Sequence, residues 1–185
     1  MDAAVIAALV ASPTALIAAG AAYAAGRRQA IGALRGPVDA VRRQHQRDAY
    51  ARLLEAANNL VDNTEWTACL WQARGEALAS GDPSTPGALE SRARVIRSQA
   101  AVSHMEALKK AAAVVTLEGP EHVAVQAARI RAAATGVAYS ARLATLPPRA
   151  GAQINDGTPG EVEAIRSHIR SFIVMARDHL NATDA

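Results

Sequence analysis

The apolar positions of this chain recur at intervals of three and four over long stretches, and alternation at every second position never spans more than a few residues. Such spacing predicts amphipathic helices rather than sheet. It is cleanest near the C-terminus, where Val162, Ile165, Ile169, Phe172, Ala176 and Leu180 form one stripe and Glu163, Arg166, Arg170 and Arg177 lie elsewhere on the surface. Upstream, Val123, Ala127, Ile130, Ala134, Val137 and Ala141 make a heptad stripe built partly of alanine, which implies close approach of a neighbouring helix. A third stripe runs through Leu89, Ile96, Ala101, Met105, Leu108, Ala112 and Val115.

Proline and glycine punctuate these stripes. Proline suits the first position of a helix, where its missing N–H would have no partner anyway, so Pro37, Pro83 or Pro86, Pro120 and Pro159 predict four helix starts. At the last of them, Thr158-Pro159-Gly160-Glu161 reads as a capping box. The matching stops are Ser80-Gly81-Asp82, Glu118-Gly119 and Leu146-Pro147-Pro148, the last followed by a polar linker from Arg149 to Gly157. The first helix, from Pro37 to about Ser80, would be about 65 Å long by its rise per residue. Tyr50, Leu53, Leu54, Ala57, Leu60, Val61, Ala68, Trp71 and Leu78 define its expected core face. Trp66, Leu70, Ala73 and Ala77 form a second apolar face opposite, with Cys69 at its border. Two apolar faces mean that this helix either lies centrally among the others or offers the Trp66 face to a partner, with the indole as anchor.

Composition narrows the class to all-α. Of 185 residues half are hydrophobic and only 3% aromatic, and about a quarter are alanine, the strongest helix former. Strand-forming side chains are too sparse for a sandwich or barrel, and one cysteine cannot build a disulfide framework or a Cys-rich zinc site.

Charge is spread unevenly. The formal net charge is only +3, yet Arg27, Arg28, Arg35, Arg42, Arg43, Arg47 and Arg52 crowd one region against Asp39 and Asp48 alone. Directly before this cluster, Ala3 to Gly26 carries no charged residue. As a helix that segment is about 36 Å long, enough to cross a hydrocarbon core. It is weakly apolar for a span, since alanine is nearly neutral for insertion and Pro13 interrupts it. The order of charges is the reverse of a secretory signal peptide, with Asp2 before the apolar run and arginines after it. The expected architecture is therefore a single transmembrane anchor over 1–28, a basic juxtamembrane linker over 29–36, and a cytoplasmic helical bundle over 37–182. The bundle is expected to be an elongated antiparallel four-helix bundle. The positive-inside rule puts the N-terminus outside the inner membrane and sets Arg27, Arg28, Arg35, Arg42 and Arg43 against lipid headgroups.

Candidate chemistry changes this picture little. None of His45, His104, His122, His168 and His179 follows a glutamate by three residues, as di-iron bundle ligands do. His168 and His179 share a helical face but stand about 16 Å apart along it. Cys69, beside Trp66, Leu70 and Trp71, reads as a small buried hydrophobe. Phosphate-binding loops, dinucleotide fingerprints and nucleophile elbows are missing, and no groove-facing basic helix with base-reading side chains extends the Arg cluster. A non-enzymatic chain is expected, with no metal, cofactor, small-molecule substrate or nucleic acid, and with a protein partner or a second copy of itself bound at Trp66, Leu70, Ala73 and Ala77. The rival expectation is a soluble adaptor or oligomer subunit whose Ala-rich N-terminal helix packs against a partner.

The run Val38-Asp39-Ala40-Val41-Arg42-Arg43-Gln44-His45-Gln46-Arg47-Asp48-Ala49-Tyr50, with Leu117-Glu118-Gly119-Pro120-Glu121-His122-Val123, resembles the small, uncharacterised, membrane-anchored Ala/Arg-rich helical proteins of high-GC actinobacteria. The resemblance implies a bacterial inner-membrane tether with a cytoplasmic bundle. It implies no catalytic residues.

Overall fold

A computed structural model describes the backbone of residues 3–81, 85–146 and 159–182, and the side chains of these residues apart from 3–21, 24, 28–37 and 159. Among the described residues the chain is all-α, with five helices: α1 (Ala3–Thr64), α2 (Trp66–Ser80), α3 (Pro86–Glu118), α4 (Glu121–Leu143) and α5 (Pro159–Ala182). The chain divides into two compact units, Met1–Gln44 and His45–Ala185.

In the second unit four helices share the larger core. The C-terminal part of α1 contributes Tyr50, Leu53, Ala57, Leu60 and Val61, α3 contributes Met105, Leu108, Ala112 and Val115, and the stripes of α4 and α5 complete it. Leu53, Leu60, Leu108, Ile130, Ile165 and Phe172 are fully buried. Each such side chain contributes about 1.5–3 kcal/mol through burial. Between them, Ala49, Ala56, Ala57, Ala111, Ala112, Ala127, Ala134 and Ala176 let backbones approach closely. Neighbouring helices in this core run antiparallel. Gln46 at the start of the packed part of α1 donates from Nε2 to the Glu118 carbonyl at the end of α3, 2.6 Å away, while Thr64 at the end of α1 meets Arg97 early in α3. Likewise Ser140, late in α4, meets Glu161 at the start of α5, and His122 meets His179 near its end.

The helix expected from Pro37 to Ser80 is broken, and Pro37 does not begin it: Pro37 lies within α1, and Glu65 takes an extended conformation (φ −64°, ψ 130°) that ends α1 and starts α2. Asp62, Asn63 and Thr64 precede the break, and their side chains compete for the backbone hydrogen bonds of a helix. Asn63 and Thr64 bond back to the carbonyls of Asn59 and Leu60, both at 2.7 Å. Arg97 then closes the end of α1, its Nε donating to the Thr64 carbonyl at 2.9 Å. The guanidinium thus supplies both a donor and a positive charge where a helix leaves carbonyls without partners.

The break resets the rotational phase. Up to Val61 the buried residues of α1 follow the expected stripe, but Trp71 and Leu78 are 70% and 74% exposed instead of buried. α2 packs against α3 through a separate small cluster of Cys69, Ala73 and Ala93, flanked by Trp66, Leu70 and Ile96.

The other boundaries follow from local chemistry. Pro86 opens α3, Pro120 precedes α4 as its cap rather than its first residue, and Pro159 opens α5. Gly81 ends α2 in the left-handed conformation (φ 67°, ψ 18°), its N–H bonded to the carbonyls of Ala77 and Leu78. α4 stops at Leu143, short of the expected Leu146, with a turn following. Of the expected capping box, Thr158 lies outside the described residues, and Glu161 accepts instead from Ser140 Oγ at 2.6 Å.

Candidate functional site

The expected partner face, Trp66, Leu70, Ala73 and Ala77, is the face that α2 turns toward α3. Ala73 and Ala77 are buried, and Trp66 and Leu70 are half-buried against the Cys69–Ala73–Ala93 cluster. These side chains are occupied within the chain, because the break at Glu65 rotates α2 relative to a continuous helix. The helix is not central among the others, since only this face of α2 is packed, against α3.

What α2 leaves outward is the opposite side. Trp71 and Leu78, seven residues apart and so on one helical face, are the most exposed large apolar side chains of α2. The Arg74 guanidinium lies 5.9 Å from the centre of the Trp71 ring, a cation–π distance. Beside them an open groove of about 330 Å³ is lined by Thr67, Leu70, Trp71, Arg74 and Leu89. Arg74 is its one charged lining residue and makes no ion pair among the described residues. Elsewhere Arg92 pairs with Glu76 at 3.0 Å, Arg166 with Glu65 at 2.7 Å and Arg170 with Glu163 at 2.7 Å. The Arg170 and Arg166 charges hold the Glu163 carboxyl below its ordinary range, the hydrogen bond from Arg170 being the larger cause.

Two polar clusters lie at opposite ends of the larger core. At one end Arg97, almost fully buried, reaches the Thr64 carbonyl and lies 3.9 Å from Glu161, whose carboxylate also accepts from Ser140. A charge held this far from water requires such partners. Cys69 is buried near this cluster, its thiol donating to the Asn63 carbonyl at 3.5 Å. Burial pushes the thiol above its ordinary range, against the opposing Arg97 charge. A thiol kept protonated is a poor nucleophile.

At the other end, Tyr50 packs edge-on against Phe172 with ring centres 5.6 Å apart, and burial raises its phenol above the ordinary range. His122 and His179 stack edge-to-face at 6.1 Å, next to an open groove of about 450 Å³ that includes Glu121, Gln126 and Arg129. Gln126 is buried and donates to the His168 carbonyl at 3.1 Å, holding α4 to α5. Among the described residues no group of three or more His, Cys, Asp or Glu could hold a metal ion.

Of the residues expected at lipid headgroups, Arg27 and Arg42 are exposed, and half-buried Arg43 turns its Nε toward the Asp39 carbonyl at 3.4 Å. The side chains of Arg28 and Arg35 lie outside the described residues, as do most of those in the expected anchor. Tyr23, Val38 and Val41, in the same unit, are exposed apolar residues. Among the described residues no helix is long and apolar enough to cross a membrane.

The expectations at Trp66 came from extending one helical phase through Glu65. The signal that places Trp71 outward instead is the Asp62-Asn63-Thr64 run, three poor helix formers in succession. No family model, curated protein or solved structure matches this chain.

Proposed function

We propose that this chain is a non-enzymatic, single-pass inner-membrane protein whose cytoplasmic helical bundle serves as an interaction or scaffolding module. The observation that carries the reading is the uncharged run from Ala3 to Gly26 followed directly by seven arginines against two aspartates. The run is long enough to span as a helix, and the positive-inside rule retains its arginine flank in the cytoplasm with the N-terminus outside. Each basic side chain near an anionic leaflet adds about 1 kcal/mol, so the collar compensates for a weakly apolar anchor. The resemblance to membrane-anchored Ala/Arg-rich proteins points the same way.

The bundle's part in this reading is to present surface. Its polar clusters are spent on holding helices together, whereas the Trp71–Leu78 face of α2 is apolar and outward. Exposed aromatic and leucine side chains rimmed by polar groups are typical of contact sites.

Carbonate extraction of cells expressing the full-length chain tests the anchor. The protein should remain with the membrane pellet at high pH; release into the supernatant would refute the single-pass reading and leave the soluble adaptor or oligomer subunit in its place.

A further inference from the structure

The geometry points to a copper(I) site where the end of α5 meets the start of α4, with the imidazoles of His122 and His179 and the thioether of Met175 as its ligands. The site concerns the bundle alone and stands or falls independently of the membrane anchor.

Helix register brings these three side chains together. α4 and α5 run antiparallel, so that Gln126 meets His168 while His122 meets His179. Met175 stands between those two contacts on α5, four residues before His179, and it lines the same groove as His122 and Gln126. Positions four apart on a helix share a face, the spacing with which helical sites grip one metal ion. The rings of His122 and His179 lie 6.1 Å apart, centre to centre, with an angle of 77° between their planes. A ring nitrogen binds a metal at about 2.0 Å, so two imidazoles sharing one ion have centres about 5–6 Å apart. His122 is exposed and has room to turn its ring into that arrangement.

The donor set selects the ion. Among the described residues no further His, Cys, Asp or Glu completes a set of three with this pair. Zinc sites draw three or four ligands from such residues, and calcium and magnesium take oxygen. Two imidazoles and a thioether instead suit copper(I), a soft ion that accepts so few ligands. A single positive charge also fits the local field. The last carbonyls of α5, which ends at Ala182, and the Glu121 carboxylate in the groove favour a cation. The N-terminus of α4 and Arg129 oppose it, although Arg129 turns its Nη1 to the Gln126 amide oxygen at 3.3 Å. An ion held here ties the first turn of α4 to the last turns of α5.

The test uses the full-length chain in mild detergent with Cys69→Ala, which removes the buried thiol as a rival ligand. Under anaerobic conditions, with ascorbate present, this chain should withdraw one equivalent of copper(I) from the chromophoric chelator bicinchoninate. X-ray absorption at the copper edge should show both nitrogen and sulfur bound to the metal. Met175→Leu keeps the volume of a side chain that packs against the core. It should weaken binding about tenfold or more, since even groups behind a ligand are worth that much. His122→Ala, at an exposed position, should do the same. Copper(I) should raise the thermal unfolding midpoint of the Cys69→Ala chain and leave that of the chain also carrying Met175→Leu unmoved.

Failure to compete with the chelator would overturn the proposal, as would binding that survives Met175→Leu or His122→Ala in chains of unchanged circular dichroism. Absorption spectra showing nitrogen neighbours alone would overturn it as well, reducing the site to an imidazole pair.

Discussion

Gly119 joins α3 to α4 in a space where no side chain fits. A Cβ built there would lie 2.8 Å from the Val115 carbonyl oxygen and 3.2 Å from the Tyr50 hydroxyl. The constraint is steric and not conformational, because Gly119 sits at φ −93°, which any residue can adopt. Its N–H closes α3 onto the Val115 carbonyl at 2.9 Å, so a methyl group cannot enter without moving either that cap or the buried tyrosine. Gly119→Ala should therefore destabilise the protein by about 1–3 kcal/mol, the range for overpacking, as read from the midpoint of urea unfolding. Arg97 shows the complementary case, a buried cation tolerated because the end of one helix and the start of another both supply oxygen partners. The glycine was visible in the sequence as a helix stop, but its contact with Tyr50, a residue 69 positions earlier, was not, since spacing along the chain carries no information about which helix ends meet.

At the scale of elements, the helices divide by how they are held. α3, α4 and α5 carry buried stripes of large side chains, whereas α2 is attached through Cys69, Ala73 and Ala93 with a flank of half-buried Trp66, Leu70 and Ile96. Small side chains bury little area, so local opening of α2 costs less free energy than opening of the larger core. Hydrogen exchange should show it: the amides of α2 should lose protection well before those of α4, and equal protection of the two helices would contradict this account. The three later stripes were legible because each helix keeps one phase from end to end. The first was legible only to Val61, since a single extended residue at Glu65 rotates everything after it. Periodicity assumes an unbroken helix, and that assumption exchanged the inner and outer faces of α2.

At the scale of the molecule, the larger core begins at Ala49 among the described residues, and the unit containing it runs from His45 to Ala185. Every helix of that core finds its partners within this unit, through the Gln46–Glu118, Gln126–His168 and Glu65–Arg166 contacts. Deleting residues 1–28 should then leave a fragment with cooperative thermal unfolding and a midpoint close to that of the full chain. Aggregation or a broad, non-cooperative melt would show instead that the N-terminal segment takes part in the fold, as the oligomer-subunit alternative requires.

The sequence by itself determined the all-α class, the stripes of α3 to α5, most of the helix ends, and the uncharged run with its arginine collar. These properties are local, set by helix propensity, by residues three and four apart, and by the backbone limits of proline and glycine. Only the tertiary structure decided which way Trp66 and Trp71 face and which carbonyl Arg97 closes. Those outcomes depend on the angle at one residue and on the docking of helices far apart in the chain, and a periodic pattern read along a single helix contains neither.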